Sequence, residues 1–253
     1  MSLYPDILFH FTDKESLYNI LESTFRISYA REKINGPNEY RAFAVPMVSF
    51  CDLKLSEIKN HMKKYGQFGI GLTKEWANRN GLNPVLYMNR NAQIVDDLLS
   101  GLSGVYMHMN KLINEDEIQD LNASYVNIMN TYRYIKNYEG ELIRNGKLVE
   151  DNFRFADERE WRYVPPLKTK GVNPFVAISK IKSKKQKNLY NDKVQHIRLH
   201  FQPDDIKYLI VQNDADIGHL INHLSLVKGR FNHDTRNRLA SRILTSEQIN
   251  MDI

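Results

Sequence analysis

Apolar residues fall along this chain in short bursts separated by charge and turn signals, and the spacing inside each burst predicts its element. Leu8-Phe9-His10-Phe11-Thr12 predicts a buried strand that turns His10 and Thr12 toward one face, because side chains alternate along a strand. Asp13 then suits an N-cap, and Leu17, Ile20 and Leu21 mark one side of a short helix over 16–23. Residues 31–46 are polar and carry Gly36-Pro37-Asn38, which predicts a turn-rich loop. A strand over 45–51 follows, then a helix over 55–65 with Leu55, Ile58 and Met62 on one face and Gly66 at its C-terminal cap. Phe68 to Leu72 predicts a strand, Thr73 a capped helix through Trp76 to Gly81, and Val85 to Tyr87 another short strand.

From about 91 to 138 the period changes to that of a helix, with Ile118, Leu121, Tyr125, Ile128, Tyr132 and Ile135 spaced three and four apart. The tyrosines of that stripe fit core packing. Turn signals return over 139–157, a strand is predicted over 158–164, and strands over 196–201 and 208–211 precede a mostly helical end. Short strands that do not alternate regularly with helices predict an α+β fold, read as one domain over 1–253 with a helical insertion near 91–138.

Charge changes this picture more than composition does. The total is +5, but residues 161–200 hold ten Lys or Arg against one acid, Asp192; that segment is +9 and the rest of the chain is −4. Lys180, Lys182, Lys184, Lys185 and Lys187 form its densest run, a candidate nucleic-acid contact because cations gain by displacing condensed counterions. A solvated loop would give the same letters. No apolar run reaches the ~20 residues of a membrane span, the first residues do not resemble a secretory signal, and the single cysteine, Cys51, excludes an internal disulfide. A cytoplasmic protein is the expectation.

The segment Glu158-Arg159-Glu160-Trp161-Arg162-Tyr163 packs two carboxylates, two guanidiniums and two aromatics into six residues, a costly mixture unless something polar is bound there. Strict alternation would put Glu158, Glu160 and Arg162 on one face. A surface strand of ion pairs has the same pattern, and a lone His10 on an apolar strand suits a hydrogen-bonded core position as well as a ligand. His219 and His223 are spaced as helical metal ligands, without an adjacent glutamate or a clear third ligand, so no metal is expected.

Leu8-Phe-His-Phe-Thr-Asp-Lys, Pro46-Met-Val-Ser-Phe-Cys-Asp, Tyr65-Gly-Gln-Phe-Gly-Ile-Gly-Leu-Thr-Lys-Glu-Trp-Ala, Gly81-Leu-Asn-Pro-Val-Leu-Tyr and Glu158-Arg-Glu-Trp-Arg-Tyr resemble the AbiGi family of abortive-infection phage-resistance proteins, which is described as an antitoxin family. At a greater distance the order of elements resembles ADP-ribosyltransferases, above all the DarT-like and CmdT-like toxins. The matching positions are His10, Thr12, Leu17, Ile20, Leu21 and Glu160, or Glu158 in its place.

That second resemblance implies an ADP-ribosyltransferase-like split antiparallel β-sandwich with flanking helices, and NAD as substrate. Cleaving the nicotinamide–ribose bond builds positive charge on the ribose, so the catalytic carboxylate (Glu160, with Glu158 as alternative) would stabilise that charge and help deprotonate the acceptor. His10 and Thr12 would hold the ribose and carboxamide, Tyr65 or Phe50 would stack on the nicotinamide, Ser49 would join the cofactor-binding set, and Arg162 would meet the pyrophosphate. Three functions compete: transfer of ADP-ribose to nucleic acid, RNA in preference; a non-catalytic antitoxin or regulator that binds a toxin or nucleic acid; and NAD hydrolysis. The distance from His10 to Glu160 is the observation that bears most on the choice.

Overall fold

A computed structural model describes residues 5–144, 147–227 and 231–252. The first half runs β1 (Ile7–Thr12), α1 (Lys14–Ser23), β2 (Phe25–Arg26), β3 (Ser28–Asn35), β4 (Tyr40–Cys51), α2 (Lys59–Tyr65), β5 (Phe68–Thr73), α3 (Lys74–Arg79), β6 (Asn83–Pro84) and β7 (Leu86–Met88). Two longer helices follow, α4 (Ile94–Met109) and α5 (Glu115–Tyr132), then β8 (Ile135–Asn137), β9 (Gly140–Arg144), β10 (Lys147–Phe153) and β11 (Glu160–Tyr163). The remainder is β12 (Val176–Ala177), α6 (Lys184–Val194), β13 (Arg198–Leu199), β14 (Ile206–Val211), α7 (Asp214–Leu226), α8 (His233–Ala240), β15 (Ile243–Thr245) and α9 (Ser246–Asp252).

Nine strands join one sheet whose main path is β15-β14-β5-β1-β4-β11-β6, with β3 and β12 attached to β4. Its pairings are antiparallel except β14 with β15. The long strand β4 makes this continuity: Tyr40 to Met47 pair with β3, Val48 to Cys51 with β11, and Cys51 with Phe9 of β1. The described strands therefore form a mixed α/β fold built on a mainly antiparallel sheet, with β9–β10, β2–β13 and β7–β8 as separate two-stranded pairs.

Directly paired residues of antiparallel strands point to the same face. The register Phe9–Cys51–Glu160 thus defines one face, while Leu8, Phe50 and Trp161 belong to the other. The second face carries the largest core, built on Leu8, Phe50, Ile70, Leu72, Trp76 and Leu209 and covered by Leu17, Leu21, Leu220 and Leu224 of α1 and α7. On the first face two smaller apolar clusters lie apart: one joins Phe43, Val45, Val95, Leu99 and Tyr132, the other Phe9, Phe11, Cys51, Ile58 and Met62.

Several elements depart from the hydrophobic pattern. The predicted loop over 31–46 is most of the β3–β4 hairpin, with only its turn where Gly36-Pro37-Asn38 placed it. Arg31, Glu32 and Lys33 disguise β3, because Glu32 points inward to charged partners instead of to apolar ones. The helix predicted over 55–65 splits into a 3-10 turn, Leu55–Glu57, and α2. The long stripe ending at Ile135 divides between α5, where Tyr132 is buried, and β8, where Ile135 is buried in a strand. Of the strand predicted over 196–201 only Arg198–Leu199 pairs, with β2.

Gly66 caps α2 at φ +131°, where a Cβ would lie 2.0 Å from the Thr12 carbonyl oxygen. Both the backbone angle and that contact exclude a side chain. Gly101 is inside α4, with open space around it. Urea melts should therefore show Gly66→Ala losing more than about 2 kcal/mol, and Gly101→Ala gaining about 0.5–1 kcal/mol from helix propensity. Equal effects of the two substitutions would contradict this backbone.

Candidate functional site

Glu160 and Arg162 sit two apart on β11 and share the face between the two smaller apolar clusters. Both are buried, Glu160 6% exposed and Arg162 0%. The Glu160 Oε1 accepts from the Ser49 hydroxyl at 2.7 Å and from Arg162 Nε at 2.7 Å. Its Oε2 accepts from Lys136 Nζ at 2.8 Å and from Arg162 Nη2 at 3.3 Å. Four donors meet the roughly four lone-pair positions of a carboxylate. The Glu160 backbone N–H donates to the Tyr87 hydroxyl at 2.8 Å.

The cluster extends beyond β11. Arg162 Nη2 also reaches Glu32 of β3 at 3.1 Å, and its Nη1 donates to the Arg133 carbonyl at 3.1 Å. Lys136 of β8 lies 3.3 Å from Glu158, whose other oxygen accepts from the Tyr65 hydroxyl. Arg133, itself buried at the end of α5, donates to the Pro165 carbonyl and to Asn130. Charges from β3, β8 and β11 are thus tied together where the two apolar clusters leave a gap.

Burial alone would raise the Glu160 carboxyl, but the Arg162 and Lys136 charges and their hydrogen bonds outweigh it and hold the group far below the usual carboxylate range. Burial likewise opposes the Lys136 ammonium, yet Glu160, Glu32 and Glu158 together raise it above its ordinary value. Burial pushes the Tyr87 phenol up to about 12. The Cys51 thiol, packed in the cluster with Phe9 and Ile58, is raised well above its usual value, first by burial and then by Glu158, which disfavours its thiolate.

The candidate residues divide between the two faces. Glu160, Glu158, Ser49, Tyr65 and Arg162 come together; His10, Thr12 and Phe50 do not join them. His10 lies on the opposite face, its ring edge-on to Phe25 at 5.3 Å and tilted against Phe50 at 5.6 Å. Its Nδ1–H donates to the Ser49 carbonyl at 2.8 Å, and burial lowers its pKa, which keeps the ring neutral. Residue 49 touches both ends of the expected pair, its carbonyl toward His10 and its hydroxyl toward Glu160. Tyr65 is engaged by Glu158, and its ring stacks on His61 at 4.2 Å. Arg162 has its guanidinium committed to Glu160, Glu32 and a carbonyl, with no exposed edge for a pyrophosphate.

Strict alternation over 158–163 also fails at one residue. Glu158 belongs to a 3-10 turn, Phe155–Glu158, and Arg159 at φ 44° breaks the strand before β11 begins. Glu158 still reaches the cluster through Lys136. His223 donates to the Tyr18 carbonyl at 3.1 Å and stacks on that ring, a packing role. A cavity of about 800 Å³ lies at another part of the sheet, lined by Ile7, Lys74, Lys207, Tyr208 and Arg242, and none of the candidate residues lines it. Of the lysine run, Lys180, Lys182, Lys184 and Lys185 are exposed and Lys187 is half-buried.

Lys136, Glu32, Tyr87 and Arg133 are the cluster members that sequence reasoning missed. Lys136 stands at the end of a helical stripe and Glu32 inside an assumed loop. The one available signal was the weak period of two in Ser28–Asn35.

Because the Glu160 carboxyl is held down in the folded state, its contribution is complete above about pH 4.5 and disappears as pH falls below it, where the unfolded chain takes up the proton first. Lys136 works with the opposite sign: its raised value keeps its contribution complete below about 10.5, to be lost only as pH rises beyond that. Glu160→Gln strands two buried cations and should cost about 3–5 kcal/mol at neutral pH. In denaturant melts from pH 7 to 3 the variant should show a flatter acid limb than the parent. A parallel acid limb, or a loss below about 1 kcal/mol, would contradict this network.

Comparison with known proteins places these features in a family. Residues 17–212 match the family model described as "Putative abortive phage resistance protein AbiGi, antitoxin". The chain is also 27% identical over 224 residues to "Abortive phage resistance protein AbiGi" of Lactococcus lactis subsp. cremoris, covering 82% of this chain and 88% of that relative. No solved structure matches. Among the described residues, no helix is long and apolar enough to cross a membrane. The matched span runs from within α1 through β14, including every charged member of the buried cluster, and the chain belongs to the AbiGi family of abortive phage resistance proteins.

Proposed function

We propose that this protein is the neutralising, antitoxin arm of an abortive-infection system and acts by binding a toxin, not by NAD chemistry. The carrying observation is the saturation of Glu160. A transferase carboxylate must offer free lone pairs to a ribose hydroxyl and an unbalanced charge to the sugar cation. Here each oxygen already accepts two hydrogen bonds, and two cations neutralise the charge. The histidine expected to hold the cofactor faces an aromatic core across the sheet. The family description, with its antitoxin label, supports the same reading.

A binding protein needs surface, and the α4–α5 pair supplies it. At the tip of the pair Tyr106 and Met107 are exposed, Ile113 is 95% exposed, and the acids Glu115, Asp116 and Glu117 follow at once. Adjacent apolar side chains left in water mark protein contact sites, and the acids select a basic surface on the toxin.

Purified protein incubated with labelled NAD, with and without RNA, should neither transfer label to a macromolecule nor release ADP-ribose. Transfer or hydrolysis that Glu160→Gln abolishes would overturn the reading. In cells, expression alone should leave growth unchanged, and growth arrest caused by the neighbouring gene's product should be relieved. Met107→Glu with Ile113→Glu should lose that relief while far-UV circular dichroism and thermal midpoint stay within a few degrees of the parent. Full relief by this variant would remove the α4–α5 tip from the interface.

A further inference from the structure

The lysines that precede and enter α6 belong to the segment that carries a charge of +9 while the rest of the chain sums to −4. Among the described residues, none of the eight lysines between 168 and 193 forms an ion pair. All but Lys187 are exposed. Lys184 and Lys185 occupy the first turn of α6, where the helix dipole repels cations. The other described helices of eight or more residues carry an acid in that turn. That turn is closed by its own capping box, Ser183 with Gln186, so the arrangement is not an anion site of backbone N–H groups.

Hydrogen bonds tie the patch to β3. Arg31 of β3 donates to the carbonyls of Ile181 and Lys182 and fixes the loop that carries Lys180 and Lys182. Asn191 of α6 accepts from the Tyr29 backbone N–H, which holds the helix against the same strand. The loop bearing Lys168 and Lys170 returns to the far end of α6, where Gly171 lies beside Lys193 and His196. Lys187 is packed near the Arg31 guanidinium, and burial with that like charge lowers its pKa. Eleven residues of α6 span about 16 Å, the rise of about five base pairs, with cations at both ends.

We propose that the exposed face of α6, with the lysine-bearing loops at its two ends, is a sequence-independent binding surface for the phosphate backbone of a nucleic-acid duplex. Like charges held together without counter-charges are unfavourable alone, and a row of phosphates turns each of them into a gain through counterion release. A bilayer is the poorer fit: Leu189 is the one large apolar residue on that helix face, and no apolar stripe accompanies the lysines. Phosphate contacts alone carry no sequence information. The surface is separate from the α4–α5 tip, so the two can fail independently.

Fluorescence anisotropy with a mixed-sequence 20-base-pair RNA duplex, and with DNA of the same sequence, at 50 to 300 mM salt tests this on the full chain. The parent should bind both duplexes with steep salt dependence. Lys180→Gln, Lys182→Gln, Lys184→Gln and Lys185→Gln combined should weaken binding more than about a hundredfold at 0.1 M salt and reduce the log–log salt slope by about three. Lys111→Gln with Lys147→Gln, exposed lysines elsewhere, should change the slope by less than one, and all proteins should melt alike. No binding at 50 mM salt, an unaltered slope in the fourfold variant, equal losses in the control, or binding to phosphatidylserine vesicles without duplex binding would each overturn the proposal.

Discussion

The architecture depends on one carboxylate held in a dry interior. Glu160 is tolerated there because Arg162, Lys136 and Ser49 fill all its acceptor positions, and removing any one of them leaves an uncompensated buried group. The requirement reaches outward. Arg162 needs Glu32, which pins β3; Lys136 needs Glu158, which pins the turn before β11; the Arg133 carbonyl that Arg162 uses anchors the end of α5. An apolar filling of the same gap would have imposed no such list of partners. The charges therefore specify how the α4–α5 pair and β8 attach to the sheet more strictly than the two apolar clusters could.

The same cluster shows how a strand's alternation decides between chemistry and structure. His10 and Glu160 lie on neighbouring parts of one sheet, near enough that residue 49 touches both. Register separates them: Glu160 is aligned with Cys51 and Phe9, and His10 comes one position later. A shift of one residue would have put histidine and glutamate on one face. As it stands, the histidine belongs to an aromatic core with Phe25, Phe50 and Trp76, and the glutamate to an ion-pair lattice.

The two concentrations of charge in this chain thus do opposite things. Around Glu160 the carboxylates, Lys136 and Arg162 answer one another inside the protein and tie β3, β8 and β11 together. Along α6 and its flanking loops the lysines have no ion-pair partner among the described residues, and all but Lys187 are exposed.

Short-range signals carried much of the architecture. Asp13, Thr73 and Gly66 cap helices where their chemistry places them, the β1 and β5 strands follow their apolar runs, and a helical region lies inside 91–138. The family motifs, the lysine density of 161–200 and the presence of Glu158, Glu160 and Arg162 in one segment were also legible, since each is a property of neighbouring letters. β3 was not, because its inward glutamate looks polar until Arg162, 130 residues away, is beside it. Nor was the separation of His10 from Glu160, because face parity across three strands depends on pairing register. Local sequence determined the elements and the charges available; only tertiary contact decided which charges met, since burial and pairing are properties of residues distant along the chain.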